Sequence, residues 1–131
     1  MEILMATRDI ADACEPLQIG WPILKARFEV ETGCTLILSC VYRPVEEQKK
    51  LYAQGRKEPG KIVTNCDGEI NPSKHNVKPA KAIDVCVLRL GKAVWDENDY
   101  LPLGTLCKDL GLSWGGYWKK GFKDLPHVEV S

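Results

Sequence analysis

The sequence predicts a single α+β domain, residues 1–131, in which a small and mostly antiparallel sheet is flanked by helices. Two runs rich in apolar and β-branched residues, 35–42 and 82–88, are typical of strands. Helical segments that end at a glycine lie between and around these runs. A chain of this length usually forms one domain with one ordinary core.

Proline and glycine positions predict where the helices begin and end. Residues 7–14 suggest a short helix with Thr7 as its N-cap. A longer helix is expected to open at Gly20-Trp21-Pro22, because proline is tolerated in a first turn, and to end at Gly33. Two further helices are predicted over 46–54 and 101–110, with Gly55 and Gly111 after them.

The two predicted strands differ in what they carry. The run 35–42 is nearly all apolar, which favours a central position in the sheet. In the second run, alternation places Ile83, Val85 and Val87 on one face and Asp84, Cys86 and Leu88 on the other. A carboxylate within an apolar strand needs a partner, because burying it alone is costly. We expect a turn over 91–93 and a short final strand over 127–130.

Residues 57–80 form a long segment rich in Pro, Gly, Asn, Lys and Asp, with no periodicity. Such a segment predicts a surface loop, and a loop of this length in a compact domain is usually functional. The segment contains His75, one of the two histidines of the chain. The aromatic and glycine-rich stretch 114–118 could form the wall of a cleft.

Composition excludes several classes of protein. The formal net charge is zero, so no overall charge favours nucleic acid or anionic membranes, and we expect a monomer. No apolar run approaches the roughly 20 residues of a membrane span. The first residues do not resemble a secretory signal, so we expect synthesis in the cytoplasm and release by another route. The six cysteines contain no CxxC pair and are expected to be free thiols.

Two polar stretches, 73–84 and 124–127, indicate a common site when they are considered together. His75, Asp84 and His127 would supply two imidazoles and one carboxylate, which is the ligand set of a catalytic zinc ion with one open position. Asp124 would act as the general base on a water molecule there. Arg43, at a strand end, and Arg56 are candidate cations for an oxyanion or a substrate carboxylate.

Each of these residues also has an ordinary structural interpretation. His75 alone is more easily explained as a solvated loop histidine, and His127 as a residue at the start of the last strand. Asp84 could pair with a lysine, and Asp124 could cap a turn. Only the joint pattern favours a metal site. Cys86, on the same face as Asp84, would place a soft donor near that metal.

These motifs resemble the VanY-type family of D-alanyl-D-alanine carboxypeptidases and L-alanyl-D-glutamate endopeptidases, which are zinc peptidases. The resemblance extends over roughly residues 17–130, and its most specific part is the pair of histidine blocks. The matching segments are Ser73-Lys74-His75, Ala82-Ile83-Asp84, Asp124-Leu125-Pro126-His127, Tyr42-Arg43, 48–56 and Trp114-Gly115-Gly116. The interval from His75 to Asp84 is longer than is usual in the family, and Pro44 replaces a small polar residue.

The resemblance implies one Zn²⁺ per chain, held by His75, Asp84 and His127, with Asp124 as general base and Arg43 as a substrate or oxyanion contact. It also implies substrate-binding or supporting roles for the residues Ser73, Arg56, Gln48 and Trp114.

The implied activity is hydrolysis of peptidoglycan stem peptides, with the L-alanyl-D-glutamate bond favoured, as in an endolysin of a phage. D-alanyl-D-alanine carboxypeptidase action is one alternative. A non-catalytic protein that binds cell-wall peptides, or a structural protein of a phage, is another. The expected place of action is the cell wall, in the periplasm or outside the cell.

Overall fold

The computed structural model describes residues 6–119 and 123–131. The helices and strands, in chain order, are α1 (Glu15–Thr32), β1 (Thr35–Cys40), α2 (Val45–Ala53), β2 (Ala82–Arg89), β3 (Lys92–Val94), α3 (Glu97–Tyr100), α4 (Pro102–Asp109), β4 (Leu112–Trp114) and β5 (His127–Val130). Short 3-10 turns occur at Ile10–Asp12, Lys74–Asn76 and Gly115–Tyr117. Among the described residues, none of the helices combines the length and apolarity that crossing a bilayer requires.

The sheet is antiparallel throughout its described strands, which confirms the predicted α+β class. Its order is β1-β2-β5-β4, and β3 pairs with β2. The central strand is therefore β2, and the prediction that the first apolar run is central was wrong. Because β2 pairs with both β1 and β5, it joins the middle of the chain to its last residues.

Strand β1 lies at an edge, where α1 covers its exposed backbone. The Leu36 N–H donates to Glu29 Oε2 at 2.8 Å, and the Leu36 carbonyl accepts from Lys25 Nζ at 2.7 Å. The side chain of Leu36 is fully buried in the core. Within β1, Leu36 is buried while Ile37 is exposed, so the apolar run does not reflect a central position.

Helix α1 begins earlier than predicted. It starts at Glu15, has Pro16 in its first turn and contains Pro22 in its interior. The buried residues Leu17 and Trp21 lie before Pro22, and burying each contributes about 2 kcal/mol, which offsets the hydrogen bond that the proline removes. The predicted end at Gly33 is confirmed, since this glycine has a left-handed φ of 74°.

The segment before α1 is not the predicted helix from Thr7. The Thr7 N–H donates to the Tyr42 carbonyl at 2.8 Å, and the Val41 N–H donates to the Thr7 carbonyl at 2.7 Å. This pairing holds Thr7 extended beside the end of β1. Only Ile10–Asp12 forms a turn, and Asp9 caps it instead of Thr7.

The core lies between one face of the sheet and helices α1 and α4. As predicted, Ile83, Val85 and Val87 of β2 face this core. The predicted turn after β2 is shorter than expected: Leu90 and Gly91, both with positive φ, form it, and Lys92 already begins β3. The opposite face of β2 carries Asp84, and the long loop 57–80 lies on that side.

Candidate active site

Asp84 lies at the point where three strands meet. On β2 it is the direct partner of Cys40 on β1 and of His127 on β5. Direct partners on neighbouring antiparallel strands have Cβ atoms about 5 Å apart. The sheet therefore brings a carboxylate, a thiol and an imidazole together on the face away from the core.

His75 comes to this face from the long loop, on the 3-10 turn Lys74–Asn76. Ser73 caps the turn: its Oγ accepts from the His75 N–H at 3.2 Å, and its N–H donates to Asn76 Oδ1 at 2.8 Å. Asn76 Nδ2 also donates to the Arg43 carbonyl at 3.0 Å. Ser73 thus supports His75, as the resemblance implies, by fixing the backbone of its turn.

The long interval between His75 and Asp84 does not separate them. Ala80 donates its N–H to the Asp12 carbonyl, and the Cys14 N–H donates to the Ala80 carbonyl, both at 2.8 Å. The extra length is thereby fastened to the segment before α1. His75 Nε2 still lies 3.3 Å from Asp84 Oδ1.

Both imidazoles have one nitrogen held by a neighbour and one turned toward Asp84. His75 Nδ1 lies 2.8 Å from the Val41 carbonyl, so it carries the proton and leaves Nε2 as the possible ligand. His127 Nε2 lies 2.8 Å from Glu129 Oε1, and His127 Nδ1 lies 3.5 Å from Asp84 Oδ1. Lys74 Nζ in turn contacts Glu129 Oε2 at 2.6 Å. Such outer partners commonly orient metal-binding histidines.

Two buried atoms of the site lack a hydrogen-bond partner among the described residues, namely His75 Nε2 and Asp84 Oδ1. Burying unpaired polar atoms is costly, so their convergence suits a cation between them. Ligand atoms that lie within 4.8 Å of one another form two groups, Cys40-His75-Asp84 and Asp84-Asp124-His127. Each group could hold a metal ion; both contain Asp84, and each contains one of the two histidines.

The ionisable side chains of the site shift one another's pKa values. Without a cation at Nε2, burial lowers the pKa of His75, but pairing with Asp84 and Cys40 dominates and raises it to about 10. A metal ion bound at Nε2 would take the place of that proton. Burial raises the pKa of Asp84, but the two imidazoles outweigh it and hold the pKa well below its usual range. At neutral pH the carboxylate is therefore ionised.

Asp124 lies beside His127, with Oδ2 3.8 Å from His127 Nδ1. Burial, followed by the negative charge of Asp84, raises the pKa of Asp124 above its ordinary value. A carboxylate whose pKa is raised toward neutrality is a better proton acceptor in catalysis than an ordinary surface aspartate. The geometry and charge of Asp124 thus suit the predicted role of general base.

Arg43 is fixed by its neighbours. Its guanidinium donates to Gln48 Oε1 at 3.0 Å, to Asp84 Oδ2 at 3.3 Å and to Cys40 Sγ at 3.5 Å. Gln48 is fully buried and also donates to Thr64 Oγ1 and to the Cys66 carbonyl. Gln48 therefore connects Arg43 to the long loop, which is a supporting role.

A cavity of about 450 Å³ opens above these groups. His75, Asp84, His127 and Asp124 line it together with Trp118, whose ring lies 4.9 Å from that of His127. The loop contributes Val63, Thr64, Asn65 and Cys66 to the cavity wall. The cavity is thus a cleft between a rigid floor and the long loop.

Two predicted substrate-binding residues lie outside this cleft. Trp114 is 3% exposed, packs in the core and donates to the Leu125 carbonyl, so Trp118 takes its place at the cleft. Arg56 donates to the Tyr52 and Thr64 carbonyls and stacks on the Tyr52 ring, which fastens the loop to α2. Neither side chain lines the cleft, and supporting roles for both stay a prediction.

The cysteine at the site is Cys40 rather than Cys86. All six cysteines, which lie within the described residues, are free thiols as predicted. Cys86 pairs with Ile37, further along β2, and belongs to neither group of possible ligand atoms. Sequence patterns did not indicate Cys40, because its position opposite Asp84 depends on how β1 and β2 pair.

Glu129 and Trp118 were also not singled out as functional residues. The alternation in β5 does put His127 and Glu129 on one face, which was the available signal for Glu129. Trp118 lay within the aromatic stretch expected to form a cleft wall, but the pattern favoured Trp114.

Comparison with known proteins agrees with this geometry. Residues 68–130 match a model of the peptidase M15 family that is described as D-alanyl-D-alanine carboxypeptidase. The matched part contains His75, Asp84, Asp124 and His127. The resemblance to VanY-type peptidases that the histidine blocks indicated is thereby confirmed.

The chain is also similar to the peptidoglycan L-alanyl-D-glutamate endopeptidase CwlK of Bacillus subtilis (strain 168), with 36% identity over 108 residues. The alignment covers 75% of this chain and 62% of that relative, so the chain spans less than two thirds of the relative's length. Among solved structures, the Serratia marcescens L-Ala D-Glu endopeptidase ChiX matches with a TM-score of 0.66 and 19% identity, over 99% of this chain and 91% of that one. The latter match shows a shared fold.

Proposed function

We propose that the chain is a zinc peptidase that hydrolyses peptidoglycan stem peptides, with the L-alanyl-D-glutamate bond as the preferred target. The observation that carries the proposal is the convergence of both imidazoles on Asp84, with Asp124 beside them. The M15 match and the similarity to CwlK support the peptide-bond chemistry and the wall substrate.

His75, Asp84 and His127 would hold the zinc ion, and Cys40 lies beside them. When bound, zinc supplies a Lewis acid that makes a water molecule more acidic and polarises a carbonyl group. The ordered neighbours Val41 and Glu129 keep both imidazoles oriented for this role.

Asp124 would move the protons of the reaction. It accepts a proton from the attacking water molecule, and it then donates that proton to the amine that leaves when the peptide bond breaks. Its partial burial, its place in the lining of the cleft and its distance of 3.8 Å from His127 support this role.

Arg43 and the cleft walls would position the peptide. The guanidinium keeps Asp84 in place and lines the cleft, where it offers a positive charge to a substrate carboxylate or to a developing oxyanion. Trp118 provides an apolar surface beside His127, and Thr64 and Asn65 supply polar groups from the loop. Such a cleft suits a short, acidic peptide.

Digestion of purified peptidoglycan tests the proposal. We expect zinc-dependent release of fragments that carry a new amino-terminal D-glutamate, identified by mass spectrometry, and loss of this release with a chelator. Free D-alanine as the sole product would instead favour the carboxypeptidase activity that the description of the family model names. Unchanged peptidoglycan, with zinc bound, would favour a non-catalytic wall-binding protein.

The remaining parts of the proposal concern where and with what the protein works. We infer that it acts on the cell wall as a monomer, without a nucleic acid or an inserted membrane segment. An endolysin-like role in a phage is the preferred setting. Wall clearing by added protein, together with its mass in solution, tests this inference.

A further inference from the structure

Cys40 reaches the site because β1 is irregular next to it. The pairing of β1 with β2 is regular from Thr35 to Leu38, which faces Val85, and it then shifts so that Cys40 faces Asp84. Without this shift, Ser39 would be the partner of Asp84. Bulges of this kind often occur beside active sites, where they redirect one side chain.

The thiol is buried and close to the unpaired atoms of the site. Cys40 is 7% exposed, and its Sγ lies within 4.8 Å of the ligand atoms of His75 and Asp84. His75 is 2% exposed and its Nε2 lacks a hydrogen-bond partner among the described residues, as does Asp84 Oδ1. The Cys40 thiol therefore lies next to two buried donor atoms that could share a cation with it.

Sulfur changes which ions such a group prefers. A thiolate with an imidazole and a carboxylate is a softer donor set than two imidazoles with a carboxylate, and soft donors favour thiophilic ions. The Arg43 guanidinium contacts the sulfur at 3.5 Å, so a positive charge already lies beside this donor. Binding would release the thiol proton to solvent as the bond between sulfur and metal forms.

We propose that Cys40, His75 and Asp84 form a second metal position that overlaps the zinc position and binds a thiophilic divalent cation such as Cd²⁺. The zinc position and this second position share His75 and Asp84, so an ion held with Cys40 uses two of the three donors that zinc needs. An ion held by Cys40 is drawn away from His127 and Asp124. The second position therefore inhibits the enzyme, a consequence that rests on the proposed peptidase function.

Titration of the metal-free protein with Cd²⁺ alone tests the site. We expect the ultraviolet absorption of a cadmium–thiolate bond to rise and reach its limit at one equivalent. In Cys40→Ser this absorption should disappear and the affinity for Cd²⁺ should fall about 10-fold or more, a loss typical of metal-site variants. His75→Ala should lose the absorption too, because it removes a second donor of the same position.

Cys66→Ser is the matched control. Cys66 also lines the cleft but lies in the loop, and it belongs to neither group of ligand atoms, so its variant should keep the full absorption. If the absorption disappears in Cys66→Ser and persists in Cys40→Ser, the assignment is overturned. Circular dichroism of each variant shows whether it is folded. The ¹¹³Cd resonance of the wild-type protein reports a sulfur ligand without any substitution.

The outcomes also separate this proposal from the peptidase function. A wild-type protein that cuts peptidoglycan with zinc but shows no cadmium–thiolate absorption overturns the Cys40 position alone. A protein that shows the absorption but cuts no peptide with zinc contradicts the peptidase function and leaves the metal position standing.

Discussion

Among single residues, Asp84 has the largest number of distinct tasks in the site. Its Oδ1 faces both imidazoles, at 3.3 and 3.5 Å, while its Oδ2 accepts from Arg43. The carboxylate is ionised because these neighbours lower its pKa more than burial raises it. A single side chain thus connects the two imidazoles proposed as metal ligands to the Arg43 guanidinium.

Asp124→Asn tests the general base. The amide has nearly the same shape but cannot accept a proton, so we expect peptide hydrolysis to fall by about 10²–10⁴-fold. Zinc content should remain near one ion per chain. Turnover is measured on purified peptidoglycan and zinc by elemental analysis.

Asp109→Asn is the control for this substitution, because Asp109 is exposed on α4 and pairs only with Arg27 among the described residues. It should leave turnover unchanged. A near-normal rate in Asp124→Asn would show that another group takes the proton.

Glu129→Ala tests the outer partner of His127. Without the carboxylate at 2.8 Å, the imidazole loses the contact that fixes its tautomer, so we expect zinc affinity to fall by about 10–100-fold. Competition with a coloured chelator measures the affinity. Ser113→Ala, which changes the direct partner of Glu129 on β4, should leave it unchanged. Equal affinities in both variants would rule out this role for Glu129.

At the scale of elements, α1 and β1 are joined through one charged pair. Glu29 accepts from the Leu36 N–H and from Lys25, which satisfies the backbone of an edge strand. The hydrogen bond from Lys25, followed by that from Leu36, lowers the pKa of Glu29 below its ordinary value. The contact therefore makes the attachment of β1 to the helix dependent on pH.

Glu29→Gln tests this dependence. The pKa of Glu29 is lower in the folded chain, so its ionised form stabilises the fold above the ordinary value of about 4.3, and this contribution is lost as pH falls through the lowered value. We expect the variant to be less stable than the wild type by about 1 kcal/mol at neutral pH. The difference should shrink in acid.

Urea unfolding at several pH values measures both effects. Glu31→Gln, on an exposed position of the same helix, is the control and should match the wild type at each pH. A constant difference between Glu29→Gln and wild type across the pH range would contradict the interpretation.

Local patterns predicted the elements that depend on local chemistry. The end of α1 at Gly33, the faces of β2 and the final strand β5 follow from glycine conformation and from alternation. The start of α1 could not be predicted, because burial of Leu17 and Trp21 outweighs the effect of Pro22. The edge position of β1 depends on α1, which is a tertiary contact.

The same distinction between local patterns and tertiary contacts applies to the site residues. The sequence predicted His75, Asp84 and His127 as ligands because two histidines and a strand carboxylate form an unusual set and because the motifs that carry them resemble those of a family. It missed Cys40, since the shift in pairing between Leu38 and Cys40 leaves no local signal. It favoured Trp114 over Trp118, since only the packed core distinguishes two tryptophans of one aromatic stretch.

For the whole molecule, the site connects distant parts of the chain. His75 comes from the loop, Asp84 from the central strand and His127 from β5. An ion bound by all three opposes unfolding of each of them. Metal binding should therefore appear as added stability of the complete domain.

Thermal unfolding with and without zinc tests this coupling. At free zinc about 100 times its dissociation constant, we expect about 2.7 kcal/mol of added stability. His127→Ala should remove this gain together with bound zinc. Mg²⁺, which prefers oxygen ligands, is the control and should give a far smaller effect. A zinc gain that persists in His127→Ala would place the ion elsewhere.

The division of the cleft into a floor of paired strands and a wall of irregular loop has a consequence for how such enzymes diversify. Backbone pairing between β2 and β5 fixes the positions of Asp84 and His127. Residues 63–66 are instead held largely by side-chain hydrogen bonds from Gln48 and Arg56 and by turns within the loop. Exchanging the segment between Arg56 and Ser73 with that of a relative would alter which peptide is selected while the reactive chemistry stays intact. We therefore expect peptide selectivity to follow the loop rather than the sheet.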